Sequence, residues 1–297
     1  MTVNKMDILK HEERLRSLYQ SNSSAKEILI KRSNFYDKLI EELLRKPIHP
    51  ISLEDISIIA TGSYGRQEMN RYSDLDLQIL HKGLRQDVFP KLDKTFIKPL
   101  LDKKINIAIM NRDISKPIKT WNFNLHEQTV FFETRFICGS KQIYKEWKSL
   151  LNSHFAANNN RMKLLKDVIA DYDKFLNDLP DNKNEPNLKK GRGGLREYSF
   201  FTWITAISGK KPENMLNPTE KVYIKKAVDF LWLVRDSIHF MSGFRQDILT
   251  KELQDKFPPE MNILQTCIRH TENLHKLFYA KNRLMECNES ATARTPS

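Results

Sequence analysis

Two aspartates separated by one residue are the first group in this sequence that could carry out chemistry. Asp74 and Asp76 lie in SDLDLQIL (73–80), where polar and apolar residues alternate. In a β-strand this alternation places Asp74, Asp76 and Gln78 on one face. Neighbouring carboxylates repel each other unless a cation lies between them, and hard oxygen ligands suit Mg²⁺, with Mn²⁺ as the alternative. The pattern therefore predicts a catalytic, metal-binding pair.

A Gly-Ser pair precedes the aspartates by ten residues and follows the apolar run ISIIA (56–60). If a short helix begins after that run, Gly62 and Ser63 present N–H groups and a hydroxyl to the phosphates of a nucleotide. Glycine also permits close approach of the backbone to a ligand, and five of the nine glycines fall in two short tracts. Those five are Gly62, Gly65, Gly191, Gly193 and Gly194.

Each part of this pattern has a simpler interpretation when it is taken alone. Polar residues at alternate positions usually form a solvated sheet face, and a Gly-Ser pair usually forms a turn. The combination is more specific, because a solvated face gives no reason for such a turn to precede the aspartates. We therefore expect a phosphate-and-metal site built from the turn and the strand.

The elements that must position this site change in character along the chain. Short β-branched runs such as ISIIA, LDLQIL and INIAIM are typical of strands, whereas the later periodicity is helical. We predict an α+β fold, with a small mixed sheet and flanking helices followed by a mostly α-helical domain. The predicted parts are an N-terminal helical segment (1–50), the sheet-bearing domain (51–140), the helical domain (141–285) and a polar tail (286–297).

Two helices can be placed more closely. Ser24 and Glu27 have the spacing of a capping box for a helix that continues to Lys46. Apolar residues recur every three or four positions between 227 and 241, which predicts one buried helical stripe. The polar segment 177–194 should interrupt the helices.

Composition limits the partners and the compartment. The net charge of +12 favours polyanions, including nucleotides and RNA, without choosing among them. The three scattered cysteines show no zinc or disulfide spacing, and no apolar run is long enough for a signal peptide or a membrane span. A cytoplasmic protein without a membrane partner is expected.

Several stretches of the chain carry a resemblance to one family. GSYGRQEMNRYSDLDL (62–77) resembles the signature of the polymerase-β-type nucleotidyltransferases. Its GRQEM form is similar to that of the bacterial uridylyltransferases that modify the nitrogen-signalling PII protein. The segments 127–139, 185–207 and 230–257 resemble the same family in the same order.

The resemblance implies roles for individual residues. Gly62 and Ser63 would hold the triphosphate, Asp74 and Asp76 would bind the metal, and Arg66 would lie beside them in the nucleotide site. In the family the GGLR loop faces the transferase cleft.

In this chain that loop carries basic residues, of which Lys189 and Arg196 are predicted to contact the nucleotide. From spacing alone, a basic interdomain loop is an equally good interpretation of this segment. Arg235 and His239 share a helical face, and a structural role is at least as well supported for them as substrate contact.

The sequence departs from the family pattern in three respects. Many members use a third carboxylate on a later strand, but INIAIMN (105–111) contributes none, which leaves Glu68, Glu127 and Glu197 as fallback candidates for a general base. Glu197 also stands where the family has aspartate. The full-length family enzyme carries a hydrolase domain and sensing domains that this sequence lacks, so transfer without nucleotide removal is expected.

Three functions compete. The first is a metal-dependent enzyme that transfers UMP or AMP from a nucleoside triphosphate to a protein hydroxyl, with a PII-like acceptor as the family example. The second is an RNA 3′-end nucleotidyltransferase, which the positive charge would favour. The third is a catalytically silent nucleotide-binding module, which the missing third carboxylate suggests.

Overall fold

The structure is a computed structural model that describes residues 5–19, 23–45, 52–121, 123–157, 160–179, 182–210 and 212–292. The chain forms two compact units, Met1–Ala157 and Asn158–Ser297, and each has its own architecture. The first unit contains the sheet and the second is helical. This arrangement confirms the predicted α+β fold.

Four strands form the sheet of the first unit, in the order β3-β2-β1-β4. β1 pairs antiparallel with β2 and β4, whereas β2 and β3 run parallel, so the sheet is mixed. The strands are β1 (Ile56–Ala60), β2 (Leu75–His81), β3 (Ile107–Asp113) and β4 (Arg135–Gly139).

One face of this sheet belongs to the main hydrophobic core. Alternate residues of β1 and β2 pack there with apolar residues of α2 (Ala25–Leu44), α4 (Phe89–Leu92) and α5 (Lys98–Asp102). A π-helical turn, Asp93–Ile97, joins α4 to α5. The buried strand members of this core are Ile56, Ile58, Ala60, Leu75, Leu77, Ile79 and, from β4, Ile137.

The first two helices begin the chain. α1 (Lys5–Tyr19) precedes α2, and the Ser24 hydroxyl accepts a hydrogen bond from Glu27 N (3.2 Å), which is the N-cap bond of the predicted capping box. This bond satisfies one of the N–H groups that a helix leaves unpaired at its start. The helix ends at Leu44, and the predicted end at Lys46 lies outside the described residues.

Two short helices and one long helix flank β1 and β4 in the first unit. α3 (Gly62–Gly65) is a single turn directly after β1. α6 (Leu125–Val130) precedes β4, and α7 (Lys141–Ala156) packs against β1, β2 and β4 with Trp147 fully buried. The predicted division at 140 therefore differs from the observed one at 157, because α7 covers the sheet.

The second unit contains six helices within its described part. They are α8 (Asn160–Asn177), α9 (Leu195–Ile207), α10 (Pro212–Met215), α11 (Pro218–Ser242), α12 (Lys251–Gln254) and α13 (Ile263–Thr292). The predicted stripe lies on α11, where Ala227, Leu231, Val234 and Ile238 are fully buried. The polar segment 177–194 separates α8 from α9 as expected, while α13 continues past the predicted start of the tail.

Membrane spans require long apolar helices. Among the described residues, no helix has both the length and the apolarity to cross a bilayer.

Candidate active site

The two aspartates stand at the beginning of β2. Asp76 is the second residue of this strand and Asp74 immediately precedes it; both are partly exposed. The register pairs Ile59 with Gln78, which places Asp76 and Gln78 on the face opposite the main core. The predicted alternation of this strand is therefore observed.

The end of β1 brings the Gly-Ser turn to Asp76. Thr61 N donates a hydrogen bond to the Asp76 main-chain oxygen (2.9 Å), so Gly62 begins beside this residue. Gly62 has a φ of +56°, and a Cβ atom added to it would lie 2.9 Å from Asp76 Oδ2. Only glycine leaves room for the carboxylate at this point. The structure thus brings Gly62, its neighbour Ser63 and Asp76 together.

This close approach predicts a specific effect for Gly62→Ala. Alanine in the left-handed region costs roughly 1–2 kcal/mol of stability, and its methyl group should also displace the Asp76 carboxylate. We expect nucleotide transfer to fall by roughly 10- to 100-fold, because small misplacements of catalytic groups are costly. Steady-state transfer rates and urea unfolding measure the two effects.

Gly83→Ala is the matched control. Gly83 has a φ of +60° at the other end of β2, and a Cβ there would approach nothing closer than Ser115 Oγ at 4.0 Å. It should lose similar stability while retaining transfer. Equal transfer rates in the two variants would show that Gly62 does not position Asp76.

An ion-pair network holds the loop between α3 and β2. Arg66 Nε contacts Glu68 Oε2 (2.6 Å), and its Nη1 pairs with Glu133. Lys26 of α2 donates to Arg66 O (3.0 Å) and to Glu68 Oε1 (3.3 Å). Both glutamates are buried, so their charges need these partners. Arg66 therefore has a structural task, and its predicted contact with nucleotide stays a prediction.

A second contact fixes the far end of the same loop. Arg32 of α2 is buried and forms a two-point ion pair with Glu12, with Nε–Oε1 and Nη2–Oε2 distances of 3.0 Å. Its Nη1 donates to Met69 O (3.0 Å). The N-terminal helices thus hold the loop that leads into the aspartate strand.

A third contact secures α3 itself. Asp37 accepts hydrogen bonds from the Tyr64 hydroxyl (2.6 Å) and from Arg135 of β4 (2.5 and 3.1 Å). Burial and the Asp37 carboxylate raise the pKa of Tyr64, so its hydroxyl stays a donor. Local sequence patterns do not reveal these contacts, since their members are separated by 27 and 98 residues.

β3 supplies no carboxylate beside the aspartates. Its register places Ala108 opposite Asp76, and Asn106 O accepts a hydrogen bond at the start of β2 (2.8 Å). β3 extends further than predicted and ends at Asp113, which lies at the opposite end of the sheet. There Asp113 accepts from Gly83 N (3.0 Å).

Each fallback carboxylate has a structural task. Glu68 belongs to the Arg66 network, and Glu127 forms a reciprocal capping box with Asn124 at the start of α6. Glu197 is fully buried in the second unit. These contacts use the charges of the three residues to stabilise local structure.

A metal ion at this site would need ligands beyond the protein. Within the described ranges, no group of three or more His, Cys, Asp or Glu side chains could hold a metal ion. Asp74 and Asp76 would supply two carboxylates, a number that suits Mg²⁺ when phosphate oxygens and water complete its shell. The predicted metal site therefore fits a site in which the protein and the nucleotide both supply ligands to the metal ion.

The GGLR loop of the second unit is tightly packed. Gly193 has a φ of +69°, and a Cβ atom there would collide with Thr271 O of α13. Glu197 accepts hydrogen bonds from Gly193 N (2.6 Å) and from the Tyr172 hydroxyl (2.5 Å). The glycine is therefore required by packing in this loop.

Lys189 and Arg196 lie at the two ends of this loop. Lys189 is half-buried, and burial with the charges of Arg235 and Arg245 lowers its pKa to about 8. The Arg196 guanidinium lies over the Trp203 ring at 5.7 Å. Both residues are in the second unit, and their predicted contact with nucleotide stays a prediction.

Comparison with known proteins agrees with this division. A family model described as nucleotidyltransferase domain matches residues 36–137, which include β1, β2, β3, the first part of β4 and both aspartates. A model described as GlnD PII-uridylyltransferase matches residues 176–289 of the helical unit.

The curated relatives share one description, bifunctional uridylyltransferase/uridylyl-removing enzyme. The chain is 27% identical to that of Aliivibrio fischeri strain MJ11 over 297 residues, covering 94% of this chain and 33% of the relative. It is 27% identical to that of Azospirillum brasilense over 218 residues, covering 69% and 23%. The chain thus spans about a third or less of the length of these relatives.

The mixed sheet, the aspartate pair and the first matched domain define a nucleotidyltransferase. The second domain and the relatives narrow this class. Together these matches support a nucleotidyltransferase core similar to that of the PII-uridylyltransferase family.

Proposed function

We propose that, in the presence of Mg²⁺, this chain transfers a nucleoside monophosphate from a nucleoside triphosphate to a protein hydroxyl. UMP is the first choice for the transferred group and AMP is the second. The observation that carries the proposal is the position of the Asp76 carboxylate beside Gly62, where a Cβ atom would crowd it, in a matched nucleotidyltransferase domain. UMP is favoured because the relatives are named uridylyltransferases. A PII-like protein is the first acceptor to test, and a cytoplasmic location stays a prediction.

The site residues divide the work of this reaction. Gly62 N–H and the Ser63 hydroxyl would bind the β- and γ-phosphates, and Asp74 and Asp76 would hold the metal ion. When bound, Mg²⁺ neutralises charge on the phosphates and lowers the pKa of the attacking hydroxyl. The acceptor oxygen bonds to the α-phosphorus, the bond to the bridging oxygen breaks, and pyrophosphate leaves. The hydroxyl proton passes to a base or to water.

A labelling experiment tests the proposal. The purified chain is incubated with Mg²⁺ and each of the four α-labelled nucleoside triphosphates, with a PII protein and separately with bacterial lysate. We expect label from UTP on one protein, at a rate well above that from CTP or GTP. Label on RNA 3′ ends would instead support the RNA function.

The silent module is the alternative because β3 offers no carboxylate beside Asp76, where its register places Ala108. It predicts nucleotide binding without pyrophosphate release under Mg²⁺ or Mn²⁺. Binding measured by calorimetry together with a pyrophosphate assay distinguishes it from the enzyme.

A further inference from the structure

β3 is an edge strand of the sheet in the first unit. Asn106 O accepts a hydrogen bond from Leu75 N (2.8 Å), and Ile114 N donates one to His81 O (2.8 Å), so both ends of β3 are bonded to β2 through even-numbered residues. Because main-chain groups alternate in direction along a strand, the even-numbered residues of β3 face β2 and the odd-numbered ones face outward. The outward residues between the strand ends are Ile107, Ile109 and Asn111.

The outward main-chain groups of this edge are open. Within the part of the chain that the structure describes, the N–H and C=O groups of Ile107, Ile109 and Asn111 have no hydrogen-bond partner. An edge of this kind can pair with a further strand. β3 is therefore complementary to a segment of extended polypeptide.

The two edges of the sheet differ in how they are protected. Proteins usually protect an edge strand with a charged residue, a proline or a bulge. Residues 105–111 (INIAIMN) include no charged residue and no proline, and the register of β3 with β2 is unbroken. β4, at the other edge, carries Arg135, which is paired with Asp37 of α2, and its register with β1 shifts. β3 is thus the edge that favours strand addition.

A small residue lies between the active site and this open edge. Ala108 is beside Asp76 in the register and is exposed. Ile107 and Ile109 pack against the main core, so Ala108 points to the opposite face, which is the face of Asp76. Strands are spaced by about 4.8 Å, so a strand added to β3 would lie about 10 Å from β2. A side chain opposite Ala108 would extend toward Asp76 across a single methyl group.

Exposed lysines lie near both ends of this edge. Lys104 precedes β3, and Lys116 and Lys119 follow it. Asp113, the carboxylate at the end of the strand, is engaged by a hydrogen bond from Gly83 N (3.0 Å). An uncharged middle with positive ends is complementary to a segment that has acidic residues on both sides of a neutral centre.

We propose that an extended segment of the acceptor protein adds to β3 as a further strand and presents its hydroxyl side chain beside Asp76. Main-chain hydrogen bonds to Ile107, Ile109 and Asn111 would supply affinity, and the residue opposite Ala108 would supply the hydroxyl. Its oxygen would bond to the α-phosphorus and pyrophosphate would leave, as in the proposed transfer. This docking rests on the proposed function, although strand addition itself can be measured without transfer.

Hydrogen exchange of the full chain, with a PII protein as the probe, tests the docking directly. The amides of Ile107, Ile109 and Asn111 should exchange fast in the free protein and become protected when the probe is added, whereas the even-numbered amides already face β2. Peptides that cover residues 105–112 are followed with Mg²⁺ and a UTP analogue whose α–β bridge resists cleavage. Protection should weaken as salt is raised from about 50 to about 500 mM, because exposed charges are screened.

Asn111→Pro and its control Asn111→Ala test the edge by substitution. Both remove the same exposed side chain, but only proline removes the outward N–H, which the pairing with β2 does not use. We expect Asn111→Pro to raise the KM for the acceptor protein by about tenfold or more, while Asn111→Ala stays within about twofold. Calorimetry should show the same UTP affinity in both variants, and urea unfolding checks that both fold.

The outcomes separate docking from transfer. Protection of the edge amides without labelled acceptor would support docking and contradict the proposed transfer. Labelled acceptor without protection, or an equal KM in the two Asn111 variants, would overturn strand addition and leave the transfer in place. Absence of both protection and label would overturn both, and protection that does not respond to salt would overturn the acidic residues expected in the partner. If Asn111→Pro does not fold, the exchange measurement decides alone.

Discussion

Replacing Asp76 with asparagine should lower nucleotide transfer by at least ~1,000-fold while leaving the fold intact. Asparagine has nearly the same shape but no negative charge, so it cannot neutralise a divalent ion or hold it against the triphosphate. A loss of about three powers of ten corresponds to ~4 kcal/mol of transition-state stabilisation. Asp76 is partly exposed at a strand start, so its substitution should change stability little.

Asp113→Asn is the control for this experiment. It removes the same charge from the neighbouring strand at the opposite end of the sheet, where Asp113 accepts hydrogen bonds that asparagine can partly retain. Its transfer rate should stay within about threefold of the unaltered protein. Both variants are assayed with labelled UTP over a range of Mg²⁺ concentrations. Substantial transfer by Asp76→Asn would remove this residue from the catalytic pair.

The central strands could be predicted closely because their burial is uniform. Every residue of β1 is buried, and an unbroken β-branched run in the sequence reflects that. β4 was not among the runs we identified, because Arg135 and Gly139 interrupt its apolar character. Its register also shifts between Ile58 and Ile59 of β1, which periodicity alone does not reveal.

The candidate site was predictable where its residues are close in sequence. Gly62 and Asp76 belong to one strand–turn–strand unit, so local rules bring them together. The ion pair of Arg66 with Glu133 joins residues 67 positions apart, and no local rule selects that partner. The same holds for Lys189, whose surroundings come from the end of α11 and the loop after it. Tertiary contacts therefore decide which charged side chains interact with one another in the folded protein.

Glu197 illustrates how the structure explains a departure from the family pattern. This residue stands where the family has aspartate, and its carboxylate reaches three donors: Gly193 N, the Tyr172 hydroxyl and His275 Nδ1 (2.8 Å). Arg192 has donors and no acceptor, so His275 Nε2 must accept the hydrogen bond between them. The hydrogen of this ring is therefore on Nδ1, which faces Glu197. The longer glutamate side chain thus connects the GGLR loop with α8 and α13.

Glu197→Ala should destabilise the second unit by about 3–5 kcal/mol, because it leaves three donors around a buried space without an acceptor. Glu197→Asp keeps the charge but shortens the reach, so we expect a smaller loss of about 1–2 kcal/mol. The exposed Glu252→Ala serves as the control and should leave the stability of this unit unchanged within the error of the measurement. Hydrogen exchange of α9 peptides in increasing urea measures the effect within this unit.

A third variant, Glu197→Gln, tests why a carboxylate is needed at this position. If burial volume alone mattered, Glu197→Gln would be nearly neutral, since glutamine fills the same space. The glutamine amide, however, has one acceptor oxygen and one NH₂ donor group. The NH₂ group would face at least one of the three donors, which are Gly193 N–H, the Tyr172 hydroxyl and His275 Nδ1–H, so these donors cannot all find an acceptor. We therefore expect Glu197→Gln to lose about 2–4 kcal/mol, more than Glu197→Asp. The reverse order would mean that the shape of this side chain, and not its two acceptor oxygens, holds the GGLR loop.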